Sequence, residues 1–262
     1  MCIYSLEHTK YLKRIKREKI IVCTFRFLII ILFLITWEVL ARLGLINTFL
    51  FSSPSRIINT LINNKDLLKH IGVTLYEVFI SFSLTTILGI LISTIMWKHN
   101  LFSKVIDPYI TIINSLPKVA LGPLIIIWVG ASTNSIIVMA LTISLFATII
   151  NIYTGFTSVD KNYITMLKSF NASKLDIYRY VIIPSNIVNI ISTLKINISM
   201  SLIGVIMGEL LVSKAGLGYL IMYGSQVFNL DLVISSIFIL GIISYIMYFI
   251  LDRVTKKLTI YS

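Results

Sequence analysis

SVDKNYITMLKSFNASKLDIYRYVIIP, residues 158–184, is a long polar interruption in an otherwise oily sequence. Its local signals predict two short helices joined by a tight corner. Ser158 is placed to cap the first helix, with Asp160 in the first turn, where a carboxylate suits the helix dipole. Ile164, Leu167 and Phe170 recur three residues apart and give that helix one apolar side. Asn171 stands where the helix should end, a position that demands a left-handed conformation Asn tolerates well. Ser173 and Asp176 form a capping-box pattern that starts a second helix. Pro184 then falls in the first turn of a long apolar run, where its missing N–H does no harm. A structured polar hairpin between two apolar runs reads as a docking surface.

Outward from the hairpin, the composition excludes a soluble domain. The 262 residues are 57% hydrophobic and 13% charged, with a mean hydropathy of +0.92, against about 25% charge in an ordinary globular chain. Two cysteines, Cys2 and Cys23, make no disulfide framework. The net charge of +12 raises nucleic acid as a partner. The basic residues flank apolar runs, however, and form no stripe with interleaved aromatics, so nucleic-acid binding is not expected.

The apolar runs predict an all-α polytopic membrane protein of about six spans. Residues 1–26 read as a basic cytoplasmic leader, residues 27–255 as the membrane domain, and residues 256–262 as a cytoplasmic tail. The first span covers residues 27–45, with Glu38 expected near its outer end against protein or interface rather than lipid. Residues 46–70 read as an outer loop, and a second span runs over residues 71–97. The third apolar segment, residues 105–130, is interrupted by Pro117 and Pro123 and carries Lys118. Two prolines kink a span and free backbone groups, so this segment either faces the bundle interior or a partner subunit, or is simply a kinked span. Spans four and five cover residues 134–153 and 182–211, and the fifth holds Lys195, Asn197 and Glu209. Residues 214–219, including Gly216 and Gly218, read as an outer turn, and span six covers residues 232–251.

Six spans put both termini on one side. With the termini and hairpin inside, 16 Lys and Arg residues are cytoplasmic and 5 are outside, which fixes that orientation. Lys195 reads either as a charge lining a pathway or as a snorkelling side chain. Glu209 reads either as a functional acid or as a tie for the following Gly-Leu-Gly turn.

Catalytic chemistry is missing. No G-x-x-x-x-G-K-[ST] phosphate loop, no H-E-x-x-H and no G-x-S-x-G occurs, and His8, His70 and His99 are scattered. The sequence therefore predicts no enzyme and no metal site.

The hairpin and the landmarks around it resemble the permease subunits of bacterial ABC importers, of the sulfonate, nitrate and taurine type. That family carries a cytoplasmic signature E-A-A-x-x-x-G-x(9)-I-x-L-P. Asn171-Ala172-Ser173 stands where the family has Gly-Ala-Ser, and Ile183-Pro184 stands for Leu-Pro. The opening triplet falls on Thr165-Met166-Leu167 and the isoleucine position on Val181, so the spacing is kept while the Glu, both Ala and the Gly are replaced. Trp37-Glu38, Pro54-Ser55, Asp107-Pro108, Ser115-Leu116-Pro117, Gly122-Pro123-Leu124 and Trp128-Val129-Gly130 follow in family order. So do Ser158-Val159-Asp160, Gly208-Glu209-Leu210-Leu211 and Gly216-Leu217-Gly218-Tyr219, and together they cover about residues 35–255.

The resemblance implies a multi-pass protein of the bacterial cytoplasmic membrane with both termini inside. It implies a homodimer served by two cytoplasmic ATPase subunits and an extracytoplasmic solute-binding protein. The chain would bind no cofactor of its own, since ATP belongs to the partner. It assigns ATPase coupling to Ile164, Thr165, Leu167, Phe170, Asn171, Ala172, Ser173 and Pro184. Pro117, Pro123, Glu209, Gly216 and Gly218, which fall in its landmarks, and Lys195, by its depth within a span, are the candidates for the pathway or gate. Thr165 replaces the family Glu, so no salt bridge to the ATPase is carried over from that position. A rival of another class is a stand-alone ion-coupled secondary transporter. Lys195 and Glu209 favour it, whereas the hairpin and the lack of tandem or inverted repeats oppose it.

Overall fold

A computed structural model describes residues 6–259, with side chains for most of residues 11–255. Cys2 and residues 260–262 of the expected tail lie outside the described residues, as do the side chains of Lys256 and Lys257. Among the described residues every regular element is helical.

Helix α1 (Leu6–Arg42) runs without a break across the expected boundary between leader and first span. The expected outer loop contains two short helices, α2 (Thr48–Phe51) and α3 (Pro54–Asn63). Its polar turn residues hid them: Asn47 and Ser53 are N-caps, and Pro54 occupies the first turn of α3. Then come α4 (Leu67–Lys98), α5 (Asn100–Ser115) and α6 (Gly122–Val129), the last preceded by a 3-10 turn at Lys118–Leu121. The axis bends by 88° between Asn100–Ser115 and Lys118–Val129, at Pro117, while Pro123 lies harmlessly at the start of α6. Helix α7 (Thr133–Thr157) leads to the hairpin helices α8 (Lys161–Ser169) and α9 (Lys174–Ile177). A π turn at Tyr178–Ile182 continues into α10 (Ile183–Val212), followed by α11 (Leu217–Gln226) and α12 (Leu230–Thr259). Five helices are long and apolar enough to cross a membrane, or six spans if the bent pair counts as one. The turn expected over residues 214–219 is shorter than its glycines imply, because α11 already starts at Leu217.

The bundle is centred on α7, packed between α4 and α10. Lipid supplies no hydrophobic drive between helices, so small residues and hydrogen bonds must hold them. Gly204 and Gly208 of α10 lie against the α7 backbone: a Cβ at Gly204 would stand 2.5 Å from Ala140 Cα, and one at Gly208 3.0 Å from Ile136 Cα. Polar seams complete the contact. Thr85 and Ser144 share a 2.8 Å hydrogen bond, Ser93 donates to the Ile149 carbonyl at 3.1 Å, and Asn197 donates to Thr86 at 2.8 Å. Gly204→Ala should therefore force α7 and α10 apart at a cost of about 1–3 kcal/mol. The readout is a lower melting temperature in detergent. Gly241→Ala, where a Cβ meets nothing within 4 Å, should leave the melting temperature unchanged. Equal shifts in the two variants would refute the close-approach argument.

Helix α1 stands apart, its apolar face exposed. It is tied at one end, where Glu38 accepts from Arg42 at 2.7 Å and from the Ser55 N–H at 3.1 Å. That matches the expectation that Glu38 faces protein. Arg56 of α3 pairs with Asp231 of α12 at 2.8 Å on the same side.

Candidate functional site

The hairpin is rigid for local reasons. Its first helix is capped by Asp160, whose carboxylate accepts from the Asn162 N–H at 2.9 Å. Ser158 instead ends α7, which corrects the expected cap by two residues. Asn171 takes φ +57°, and the Ala172 N–H reaches back to the Leu167 carbonyl at 3.1 Å, so the corner closes as a left-handed helix end. Ser173 and Asp176 form the reciprocal capping box.

Three contacts weld the hairpin to the spans. Lys174 Nζ donates to the Lys98 carbonyl at the end of α4 (3.3 Å), and Tyr178 Oη shares a 2.7 Å hydrogen bond with Thr94. The Tyr178 ring lies between Trp97 and Phe156, with centroids 5.5 and 5.8 Å away. Pro184 follows the π turn, in which the Ile183 N–H bonds to the Tyr178 carbonyl. The wide turn accommodates a proline that would otherwise crowd the carbonyl four residues back.

The expected apolar side divides. Ile164 and Leu167 pack on Ile152, Phe156, Ile177 and Ile182 at the ends of the protein's own spans. Phe170 is 76% exposed, and Tyr163 and Met166 are more than half exposed beside it. Thr165 is exposed, and its hydroxyl returns to the Lys161 carbonyl at 2.9 Å. Sequence reasoning missed Tyr163 and Met166, although the spacing of 163, 166 and 170 is as helical as that of 164, 167 and 170.

At the opposite end of the bundle, Glu209, Gly216 and Gly218 come together. Glu209 is buried near the end of α10 and accepts from Thr74 Oγ1 of α4 at 2.6 Å and from the Gly218 N–H at 2.5 Å. Thr74 in turn accepts from the Leu217 N–H at 2.8 Å, and His70 Nδ1 accepts from the Gly216 N–H at 3.0 Å. Gly216 has φ +113°, and a Cβ there would strike the Glu209 carboxyl group. The carboxylate therefore ties α4, α10 and the turn into α11 together. Glu77, also buried, faces Glu209 and Thr133. Glu77 has no role in the sequence reading, but residues 70, 74 and 77 mark one polar stripe on α4.

Lys195 stands apart from this cluster, 14 residues before Glu209 or about 21 Å along α10. It pairs with Asp252 of α12 at 2.5 Å, with the Tyr248 ring 5.6 Å away. Pro117 marks the α5–α6 break. Beside it Lys118 Nζ donates to Asn114 Oδ1 at 2.7 Å and to the Ile143 carbonyl of α7 at 3.1 Å. Among the described residues no cluster of His, Cys, Asp and Glu could hold a metal.

An all-helical bundle with a broken span and a rigid polar hairpin meets its counterpart in the family described as binding-protein-dependent transport system inner membrane component, whose profile matches residues 85–260. The chain belongs to this family of importer permeases. The permease is 30% identical over 226 residues to a probable ABC transporter permease protein of Haemophilus influenzae, covering 86% of this chain and 92% of that one. It is 27% identical to the formylaminopyrimidine transport permease protein ThiX of Halalkalibacterium halodurans, covering 82% of this chain and 87% of the relative. Among solved structures, a bacterial ABC transporter involved in the import of the acidic polysaccharide alginate superposes with a TM-score of 0.66 at 13% identity. That match covers 95% of this chain and 99% of the other, and shows a shared fold.

Proposed function

We propose that the permease forms the membrane path of an importer for a small solute, of the sulfonate, nitrate, taurine or thiamine-precursor kind, and works by alternating access. Two copies would enclose the path, an extracytoplasmic binding protein would deliver the solute, and separate ATPase subunits would bind and hydrolyse ATP. One observation carries this reading. The hairpin has an exposed apolar face at Tyr163, Met166 and Phe170, while its other face is fixed to the ends of α4, α7 and the start of α10. A partner that moves the hairpin must move those spans, so nucleotide state can bias which side of the bundle opens.

The charge distribution supports a cytoplasmic hairpin and cytoplasmic termini. In a chain lacking native cysteines, Ser169→Cys should react with an impermeant maleimide only after cells are opened. A cysteine at Asn229, in the connection between α11 and α12, should react in intact cells. The reverse pattern would defeat the orientation, and with it the docking of a cytosolic ATPase. Against the stand-alone transporter, Lys195 is already neutralised by Asp252, and Glu209 is engaged by Thr74 and Gly218. Deleting the ATPase should abolish uptake by the importer, whereas a secondary transporter would keep it.

A further inference from the structure

Lys118 is a positive charge at an unusual depth. Its ammonium reaches the Ile143 carbonyl at 3.1 Å, and Ile143 is near the centre of α7, a 25-residue candidate span. Ten residues from Thr133 is about 15 Å along a helix, half of a hydrocarbon core of about 30 Å. At that depth a charge is normally paired or faces water. Lys195, the other lysine within a span, has Asp252. None of the ion pairs among the described residues includes Lys118, whose two oxygen partners, Asn114 Oδ1 and the Ile143 carbonyl, are both neutral. They orient the ammonium and leave its charge uncompensated.

The backbone beside it points the same way. Residues 115–117 and Val119 are exposed around the 88° break. Non-helical backbone at membrane depth is tolerated against protein or in a water-filled cavity, never against lipid. An uncompensated ammonium and an exposed break at the same level describe the wall of a polar path.

We propose that the Lys118 ammonium lies on the solute path and is the counter-charge for an anionic group on the transported solute. Asn114 and the Ile143 carbonyl hold it in place, and one N–H remains free to meet the anion. This rests on the permease reading above and narrows its solute class to molecules bearing a sulfonate, carboxylate or similar anionic group.

The test reads water access and local potential without knowledge of the solute. In a chain carrying Cys2→Ser and Cys23→Ser, assembled with its ATPase, Asn114→Cys places a thiol beside the ammonium. Two methanethiosulfonate reagents, one bearing a sulfonate and one a trimethylammonium group, are compared in nucleotide-free and ATP-bound complexes. Relative to their rates with a free thiol, the sulfonate reagent should be favoured by about tenfold in at least one state. Lys118→Gln should bring the ratio near one, and Lys118→Arg should preserve it. Lack of reaction with either reagent, or a preference that survives Lys118→Gln, would overturn the proposal. The same preparation reports on the importer reading separately: absence of a co-purifying ATPase sinks that reading and this one together. A co-purifying ATPase with an unreactive thiol sinks this one alone.

Discussion

Met166→Glu combined with Phe170→Glu should leave the permease at normal abundance in the membrane while removing the ATPase from it, with ATP-driven uptake falling by more than about tenfold. Both side chains are exposed in the chain alone, so carboxylates there meet water and do not disturb folding. On a docking surface the same carboxylates must be desolvated against an apolar groove, which costs several kcal/mol. Leu167→Glu tests something different. Leu167 packs against the cluster of Ile152, Phe156, Ile177 and Ile182, so a charge there should reduce membrane abundance before any question of docking arises. Membrane abundance, ATPase co-purification and uptake measured for both variants separate the two faces. If the double variant still pulled down ATPase at the normal level, the exposed face would not be the docking surface.

Glu209→Leu is expected to give the largest loss of stability. It strands the Thr74 hydroxyl and the Gly218 N–H in a buried site. Unmade hydrogen bonds of this kind cost about 1–3 kcal/mol each. A loss near 4 kcal/mol corresponds to roughly 10 °C in melting temperature. The carboxylate and Thr74 share one hydrogen bond, so Thr74→Val should cost less once Glu209 is gone, keeping only the loss of the bond that Thr74 accepts from the Leu217 N–H. Thermal unfolding of the two single variants and the double in detergent gives this coupling directly. Strict additivity would show that the two side chains act independently.

The number and order of spans were legible because each is an apolar run bounded by polar residues, and periodicity and length suffice to find such runs. The hairpin corner was legible too, since Asn171 and the Ser173–Asp176 pair act through bonds only a few residues away. What stayed hidden depends on neighbours far along the chain. Ile164 and Leu167 resemble Phe170 in sequence, and only the packing of Ile152 and Ile182 beneath them separates the inner face from the outer. The partners of Glu209 and Lys195 lie 135 and 57 residues away, at Thr74 and Asp252. No local pattern announces such pairs. The capping residue of α8 was displaced because Ser158 and Asp160 are both good caps, and the chain uses the first to finish α7.

The π turn at Tyr178–Ile182 holds one residue more than an α-helical path would need. One residue is about 100° of helical rotation. That single extra step sets the azimuth of the hairpin about the axis of α10, like a keyway cut in a shaft. Remove it, and every cap within the hairpin would survive while its exposed apolar face turned by about 100° around that axis.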